Sequence, residues 1–453
     1  NETYIRDSNK ITKKIIGYDA NALYLWALGN EMPCGQLTTI NTYDTIIDDI
    51  KSKKLFGFLE CDIETPVHLK DYFSEMCPIF KNIEIDPKDK SIIGEHMFEY
   101  NESKGKSGAR KSKKLISSYF GTKILIYTPL LNWYLEHGLV ITKTYSFIKA
   151  YSHQPFEQFM EEITTARRIG DLDPTKKIIA DMMKLTGNSA FGRSGMDKSK
   201  HKEYKYTTDQ KEEDKLTNSF TFYHKEELDG STEITLKMRR IKQNNPIHLS
   251  IAIYQLAKLR MLQFYYECID KYIDRSDFEY LEMDTDSAYI AFSNEKPFEN
   301  LVKPELKEDF LKHQYEWFPR EDTIENNLFD KKTPGIFKQE WSGDAMISLS
   351  SKNYICYLPD EVYSEKNNKM IAGESKISSK GVQKSRNSDL LTNINFEKVI
   401  LNKITLSGSN MGFRLCKETK SMITYRQHKT GLNYMYDKRQ VLADGLHTIP
   451  LNI

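Results

Sequence analysis

Tyr18-Asp19-Ala20-Asn21-Ala22-Leu23-Tyr24, Lys184-Leu185-Thr186-Gly187-Asn188-Ser189-Ala190-Phe191-Gly192 and Asp284-Thr285-Asp286-Ser287 stand in that order along the chain. The first and last carry carboxylates on separate segments, and the middle one supplies a cationic helix. Together they are the minimum equipment for metal-assisted transfer of a nucleoside triphosphate's phosphoryl group. Residues 14–18 are predicted to form a strand that delivers Asp19 at its end. Residues 280–283 and 288–292 read as two strands joined at the Asp-Thr-Asp-Ser turn.

Mg²⁺ wants hard oxygen ligands and takes one or two carboxylates plus phosphate oxygens. Asp19 and Asp286 are the expected ligands of two such ions, with the Ala20 carbonyl as a further donor and Mn²⁺ able to substitute. Asp284 lies two residues from Asp286 and shares its face if the turn is strand-like. A DxD pair also holds the metal of glycosyltransferases, and Asp and Ser favour plain surface turns, so this string alone names no reaction. Lys184 offers a point charge for a triphosphate and Asn188 a neutral donor one turn away; both also suit a solvated helix face. Arg167 and Arg168 can add a planar clamp or be surface charge. Tyr24 can stack under a sugar and block a 2′-hydroxyl, or simply pack in a core.

Around these strings the chain organises itself. Residues 55–63 read as a second, mostly buried strand. Residues 84–114 are polar and end in Lys104, Lys106, Arg110, Lys111, Lys113 and Lys114, the pattern of an exposed loop or an arm near phosphates. Residues 128–138 carry a helix signature, with Thr128 as cap, Pro129 in the first turn and Gly138 at the end. Residues 156–168 form a second helix, and Asp173-Pro174 opens a third. On that third helix Lys177, Asp181, Lys184, Asn188 and Phe191 share one stripe, while Ile178, Ile179, Met182, Met183 and Leu185 supply the apolar side. Gly187 costs this helix about 1 kcal/mol relative to Ala and reads as room for something bulky to approach. Residues 197–246 are charged and turn-rich, an insertion with a hairpin at Asp229-Gly230. Residues 249–273 return to a strong amphipathic helix. Lys376, Lys380, Lys384 and Arg386 begin a basic C-terminal region.

With those strings read, the chain resembles family B DNA polymerases. Their first palm motif, DxxSLYP, stands here as residues 19–25, the fingers motif KxxxNSxYG as 184–192, and the second palm motif YxDTDS as 282–287. The KxY motif that grips a primer terminus stands as Lys352-Asn353-Tyr354. Departures are Ala22, Leu25, Phe191, Arg193 and Glu282, none at a metal ligand. The long intervals between motifs resemble the protein-primed branch, and residues 127–139 resemble polymerases of self-synthesising DNA transposons, virophages and adenovirus-like elements. The resemblance implies an α+β right-hand fold: palm at 1–35 and 247–375, helical fingers at 151–196, thumb at 376–453. It also implies a priming-protein-docking insertion at 36–150 and a strand-displacement insertion at 197–246. It implies catalysis by Asp19, Asp284 and Asp286, nucleotide contacts from Leu23, Tyr24, Arg168, Lys184, Asn188 and Phe191, and DNA contacts from Ser287, Lys352, Tyr354 and Lys380. Asp62-Ile63-Glu64 mimics the family's first exonuclease motif, but it follows Asp19 instead of preceding it and reads as a strand running into a turn. Nothing ahead of Asp19 has room for an exonuclease, so the chain reads as the polymerase half of a longer protein.

Implied partners are template-primer DNA, dNTPs and a priming (terminal) protein, with the chain a monomer working inside the cell, in a nucleus or at a viral replication site. The rival readings are a DxD glycosyltransferase, a nuclease, or a non-catalytic DNA-binding relic of a mobile element. The bulk numbers fit any of these: 453 residues, 39% hydrophobic and a net charge of +1. Nucleic-acid contact must therefore rest on local basic density. No apolar run is long enough for a membrane span. Six scattered cysteines without a CxxC pair favour reduced thiols in an intracellular protein over a zinc site or a disulfide frame.

Overall fold

Residues 14–20 and 287–292 meet in the middle of one sheet, and everything near the motifs is arranged around that meeting. The coordinates are a computed structural model describing residues 3–6, 8–105, 110–228, 230–357, 361–364, 369–372, 375–416, 419 and 421–453. In chain order, β1 (Lys14–Ala20) turns into α1 (Leu23–Leu28), followed by β2 (Met32–Asn41), α2 (Ile46–Lys51), β3 (Gly57–Glu64) and β4 (Ile79–Ile85). Then come α3 (Lys90–Ile93), α4 (Glu95–Ser103), β5 (Ser112–Ser118), β6 (Phe120–Tyr127), α5 (Thr128–Glu136) and β7 (Val140–His153). Two helices, α6 (Glu157–Leu172) and α7 (Lys177–Ser194), precede β8 (Lys202–Thr207), α8 (Gln210–Thr217), β9 (Phe222–Leu228) and β10 (Ser231–Lys237). The long α9 (Ile247–Gln263) leads to β11 (Phe278–Asp284), β12 (Ser287–Phe292), β13 (Phe337–Gly343), β14 (Ala345–Ser350) and β15 (Asn353–Tyr357).

The central sheet has the antiparallel order β11-β12-β1-β13. Every residue of β12 is buried, which suits an inner strand covered on both faces. Gly17 sits opposite Tyr289, and a Cβ there would lie 2.5 Å from the ring, so glycine alone lets the tyrosine cross the strand. Behind the sheet runs α9, extended by a π turn at Phe264–Ile269 and a short helix at Asp270–Tyr272. Phe264 stacks on Phe337 at 3.8 Å and meets Tyr18 edge-on at 5.6 Å, tying that turn to the sheet. Fully burying one such side chain contributes about 1.5–3 kcal/mol, so this seam fixes where β1 ends.

A second four-stranded sheet, β2-β7-β3-β6, packs into the same core. It reaches back to Met32 and forward to His153, slightly beyond the expected insertion. Several expectations change here. Thr128 is not a cap: it lies within α5, and its hydroxyl accepts the Gly57 N–H at 3.3 Å. Residues 84–114 are not a basic loop. They hold α3 and α4, because Ile85, Ile93, Met97 and Tyr100 bury themselves with Phe396, Val399, Leu432 and Leu451 of the C-terminal region in a second core. Lys111 pairs with Asp86 at 3.3 Å and Lys114 pairs with Asp437, so these cations hold protein. Lys106 lies outside the described residues. The insertion at 197–246 is the three-stranded sheet β8-β10-β9 with α8; its hairpin turns at Gly230, φ 76°, while Asp229 is outside the described residues.

The third helix departs most. α7 buries Ala180, Gly187, Phe191 and Ser194, whereas Ile178, Ile179, Met182 and Leu185 are exposed. Small residues face α6 and α1, so the helices can approach closely and the large apolar residues point away. The bulky neighbour admitted by Gly187 is Ile163, whose Cδ1 would lie 3.3 Å from an added Cβ.

Candidate active site

Strand register brings the two separated acidic strings together. Asp19 pairs with Ser287 across β1 and β12, and the Ala20 N–H donates to the Asp286 carbonyl at 2.7 Å. Asp284 ends β11 opposite the same Ser287. A two-residue turn, Thr285-Asp286, closes the hairpin, with the Asp286 N–H on the Asp284 carbonyl at 2.6 Å. Asp19, Asp284 and Asp286 thus stand at one end of three neighbouring strands.

The backbone at this place is strained. Ala22 (φ 42°), Thr285 (φ 57°) and Lys352 (φ 63°) all adopt the left-handed region. Each such residue costs on the order of 1–3 kcal/mol, most clearly for a β-branched threonine. Ala22 bends the chain from β1 into α1 just past Asp19, and Thr285 tightens the acidic turn. Lys352, at the β14–β15 turn, sends its ammonium to Asp284 at 2.8 Å. Lys338 of β13 reaches Asp19 at 2.9 Å.

Charge is left over. Burial, then the negative charges of Asp19, Asp284 and Glu340, push the Asp286 carboxyl up to about 6. Beneath it, burial pushes Glu282 up to about 7; its carboxylate accepts the Lys352 N–H at 3.3 Å and the Ser348 hydroxyl at 3.1 Å. Hard oxygens that repel one another fit a divalent cation. Among the described residues no three His, Cys, Asp or Glu side chains form a metal cage, so such an ion would complete its shell with substrate and water oxygens.

Tyr24 links the acids to α7. Its ring stacks on Phe191 at 4.2 Å, Tyr254 closes on both edge-on, and its hydroxyl lies beside Thr285. Burial, then Tyr254 and Asp286, push its hydroxyl up to about 12. Lys184 and Asn188 stand exposed on the flank of α7 next to Phe191. A cavity of about 1170 Å³ adjoins the acids, with Tyr24, Tyr254, Asp284, Lys352 and exposed Lys380 in its wall.

Other expected residues do not face this space. Leu23 is buried in the core, and its side chain has no access to a nucleotide. Ser287 is buried, its hydroxyl spent on the Asp284 carbonyl at 3.3 Å. Tyr354 is also buried, donating to the Tyr289 hydroxyl at 3.2 Å, so of the Lys-x-Tyr pair only Lys352 reaches the acids. Arg168 turns away, stacked 3.4 Å over Phe329 and bonded to Thr333 at 2.9 Å. Its neighbour Arg167 takes the inner place: burial lowers its proton affinity, while Asp171 and Asp19 act to hold its charge. Helical spacing could have separated the two, since residues one apart never share a face. Glu282 and Lys338 were not expected; only the register of β11 and β13 reveals them.

A family model described as DNA polymerase type B, organellar and viral, matches residues 1–284. Among solved structures, the chain is similar to Phi29 DNA polymerase in its orthorhombic crystal form (TM-score 0.50, 13% identity), covering 94% of this chain and 60% of that chain. It is equally similar to Phi29 DNA polymerase complexed with primer-template DNA, a post-translocation binary complex (TM-score 0.50, 14% identity, 94% and 60% covered). The same polymerase complexed with single-stranded DNA gives a TM-score of 0.51 at 14% identity, with 94% and 59% covered. At this identity the likeness shows the fold, and the chain spans about 60% of the length of those it matches. No curated protein matches it.

Proposed function

The chain belongs to the organellar and viral type B DNA polymerases, and from that premise we propose that it adds dNTPs to a primer 3′-hydroxyl along a DNA template. The observation that carries the reading is the register of β1 on β12, which sets Asp19 beside Asp286 although the chain separates them widely. Asp19 and Asp286, with the Ala20 carbonyl, would hold two Mg²⁺ ions, or Mn²⁺ in their place. Bound there, they would assist ionisation of the attacking hydroxyl and neutralise the departing pyrophosphate.

The chain's own residues do the rest. Lys352 neutralises Asp284 and presents its ammonium beside the primer end. Arg167, Lys184 and Asn188 converge on the triphosphate from α6 and α7. Tyr24, backed by Phe191, floors the sugar and leaves no room for a 2′-hydroxyl. The sheet of β1 and β11–β13 acts as palm, α6 and α7 as fingers and the basic C-terminal region as a thumb contacting backbone phosphates. Initiation on a hydroxyl of a priming protein, inside a cell or at a viral replication site, completes the reading. A glycosyltransferase or nuclease would leave the Lys184 helix without a task, and a relic would have no reason to keep three strained residues around its acids.

Primer extension with labelled dNTPs on a recessed template tests this. Asp286→Ala and Asp19→Ala are expected to abolish incorporation while duplex binding persists. Turnover by Asp286→Ala at the wild-type rate would overturn the proposal.

A further inference from the structure

Tyr24, Phe191 and Tyr254 come from three elements: the first turn of α1, the end of α7 and the middle of α9. α7 ends against α9. The Asn245 side-chain amide donates to the Met196 carbonyl at 2.8 Å, and a Cβ at Gly195 would collide with the Ser250 hydroxyl. Ser250 and Tyr254 are four residues apart on α9, and Phe191 and Gly195 are spaced likewise. The close approach at Gly195 and Ser250 therefore brings Phe191 and Tyr254 together one turn away, with ring centroids 4.7 Å apart. The Gln255 side chain accepts the Tyr127 N–H at 2.7 Å and donates to the Leu125 carbonyl at 2.9 Å. Those bonds stop α9 from rolling and keep Tyr254, 56% exposed, in the cavity wall.

Tyr24 and Phe191 lie nearly parallel, 20° apart, while Tyr254 stands across both at 87° and 84°. A stacked pair resists tilting but can slide in its shared plane. A third ring standing across both stops the slide. The Tyr254 hydroxyl makes no hydrogen bond among the described residues, so its contribution here is the ring. An apolar wall refuses one extra hydroxyl weakly; a strict wall needs a ring that cannot move aside. We infer that Tyr254 is a specificity-determining positioning residue, which locks the Tyr24 ring and sets how strictly ribonucleotides are refused. This role rests on the polymerase reading, with Tyr24 under the sugar; Tyr254 itself belongs to none of the motif strings.

The test is single-nucleotide primer extension by the full chain, with kcat and KM measured for a dNTP and the matching rNTP. Tyr254→Leu is expected to shrink the preference for dNTP about tenfold, mainly through a lower KM for rNTP. Tyr254→Phe, which keeps the ring, should retain the wild-type preference. Misfolding lowers incorporation of both nucleotides alike and leaves their ratio where it was, so loss of active protein cannot imitate the result. In a Tyr24→Ala background, where the gate is gone, adding Tyr254→Leu should change the preference by no more than about twofold. Three outcomes would each overturn the inference: an unchanged preference in Tyr254→Leu, a KM raised equally for both nucleotides (a ring that simply binds the base), or an undiminished effect in the Tyr24→Ala background. All three leave templated dNTP incorporation by the wild-type chain intact. Its absence there would instead overturn the polymerase reading and this role with it.

Discussion

Two sheets in this protein carry acidic strand ends, and they treat them oppositely. On β3, Asp62 accepts the Lys123 N–H at 2.6 Å and the Tyr145 hydroxyl at 3.0 Å, and Glu60 accepts the Ser146 hydroxyl at 3.0 Å. Both carboxylates take neutral donors from their own sheet. On β1, β11 and the turn into β12, Asp19 and Asp284 each hold one lysine, and Asp286 faces mainly negative charge. The letters Asp-Ile-Glu and Asp-Thr-Asp look alike. What differs is whether the fold supplies enough donors, and the deficit at Asp286 is what the proposed cation would relieve.

The widest gap should appear in catalysis. Asp19→Asn is expected to lower primer extension by roughly 10³-fold or more, whereas Asp62→Asn should stay within about threefold, since it sits on the satisfied sheet. Comparable losses in both would erase the contrast.

Next come the paired arginines. Arg167→Ala should raise the KM for dNTP about tenfold, the range expected for losing a charge-assisted contact. Arg168→Ala should leave KM near wild type and instead lower the melting temperature, because it loses Phe329 and Thr333. A reversed outcome would return the inner place to Arg168.

The pH dependence follows from Asp286. Its carboxyl is raised to about 6, so extension should fall about tenfold per unit as pH drops below that value, if metal affinity follows the ionised form. A flat profile between pH 5 and 7 would show a fully compensated site.

The smallest effect concerns stability without metal. Because the folded state holds the Asp286 proton more tightly than the unfolded chain, stability falls as pH rises from about 4 to about 6. Removing that charge with Asp286→Asn should therefore stabilise the metal-free protein by roughly 1–2 kcal/mol at pH 7.5 after solvent screening, with the gain fading below pH 6. Thermal melts across that range decide it. Asp62→Asn should instead destabilise at pH 7.5, since it breaks satisfied bonds.

Much of this was legible in the chain. The strands ending at Asp19 and Asp284, the hairpin near Gly230, and the polar flank of α7 follow from local patterning that the backbone obeys. The wrong turns share one cause. Residues 84–114 looked like a loop because their few apolar residues gain a core only by meeting Phe396 and Leu432, hundreds of positions away. The apolar residues of α7 looked like a packing face, yet Ala180 and Gly187 win that role because they let helices approach.

By itself the sequence determined which residue types the chemistry needs, their order, and the strands and helices that carry them, because these depend on neighbours within a few positions. Only the tertiary structure decided which carboxylates go short of donors, that Arg167 rather than Arg168 turns inward, and that Tyr354 and Ser287 are buried. Those outcomes depend on strand register and burial, and both are set by contacts between segments that the linear chain keeps apart.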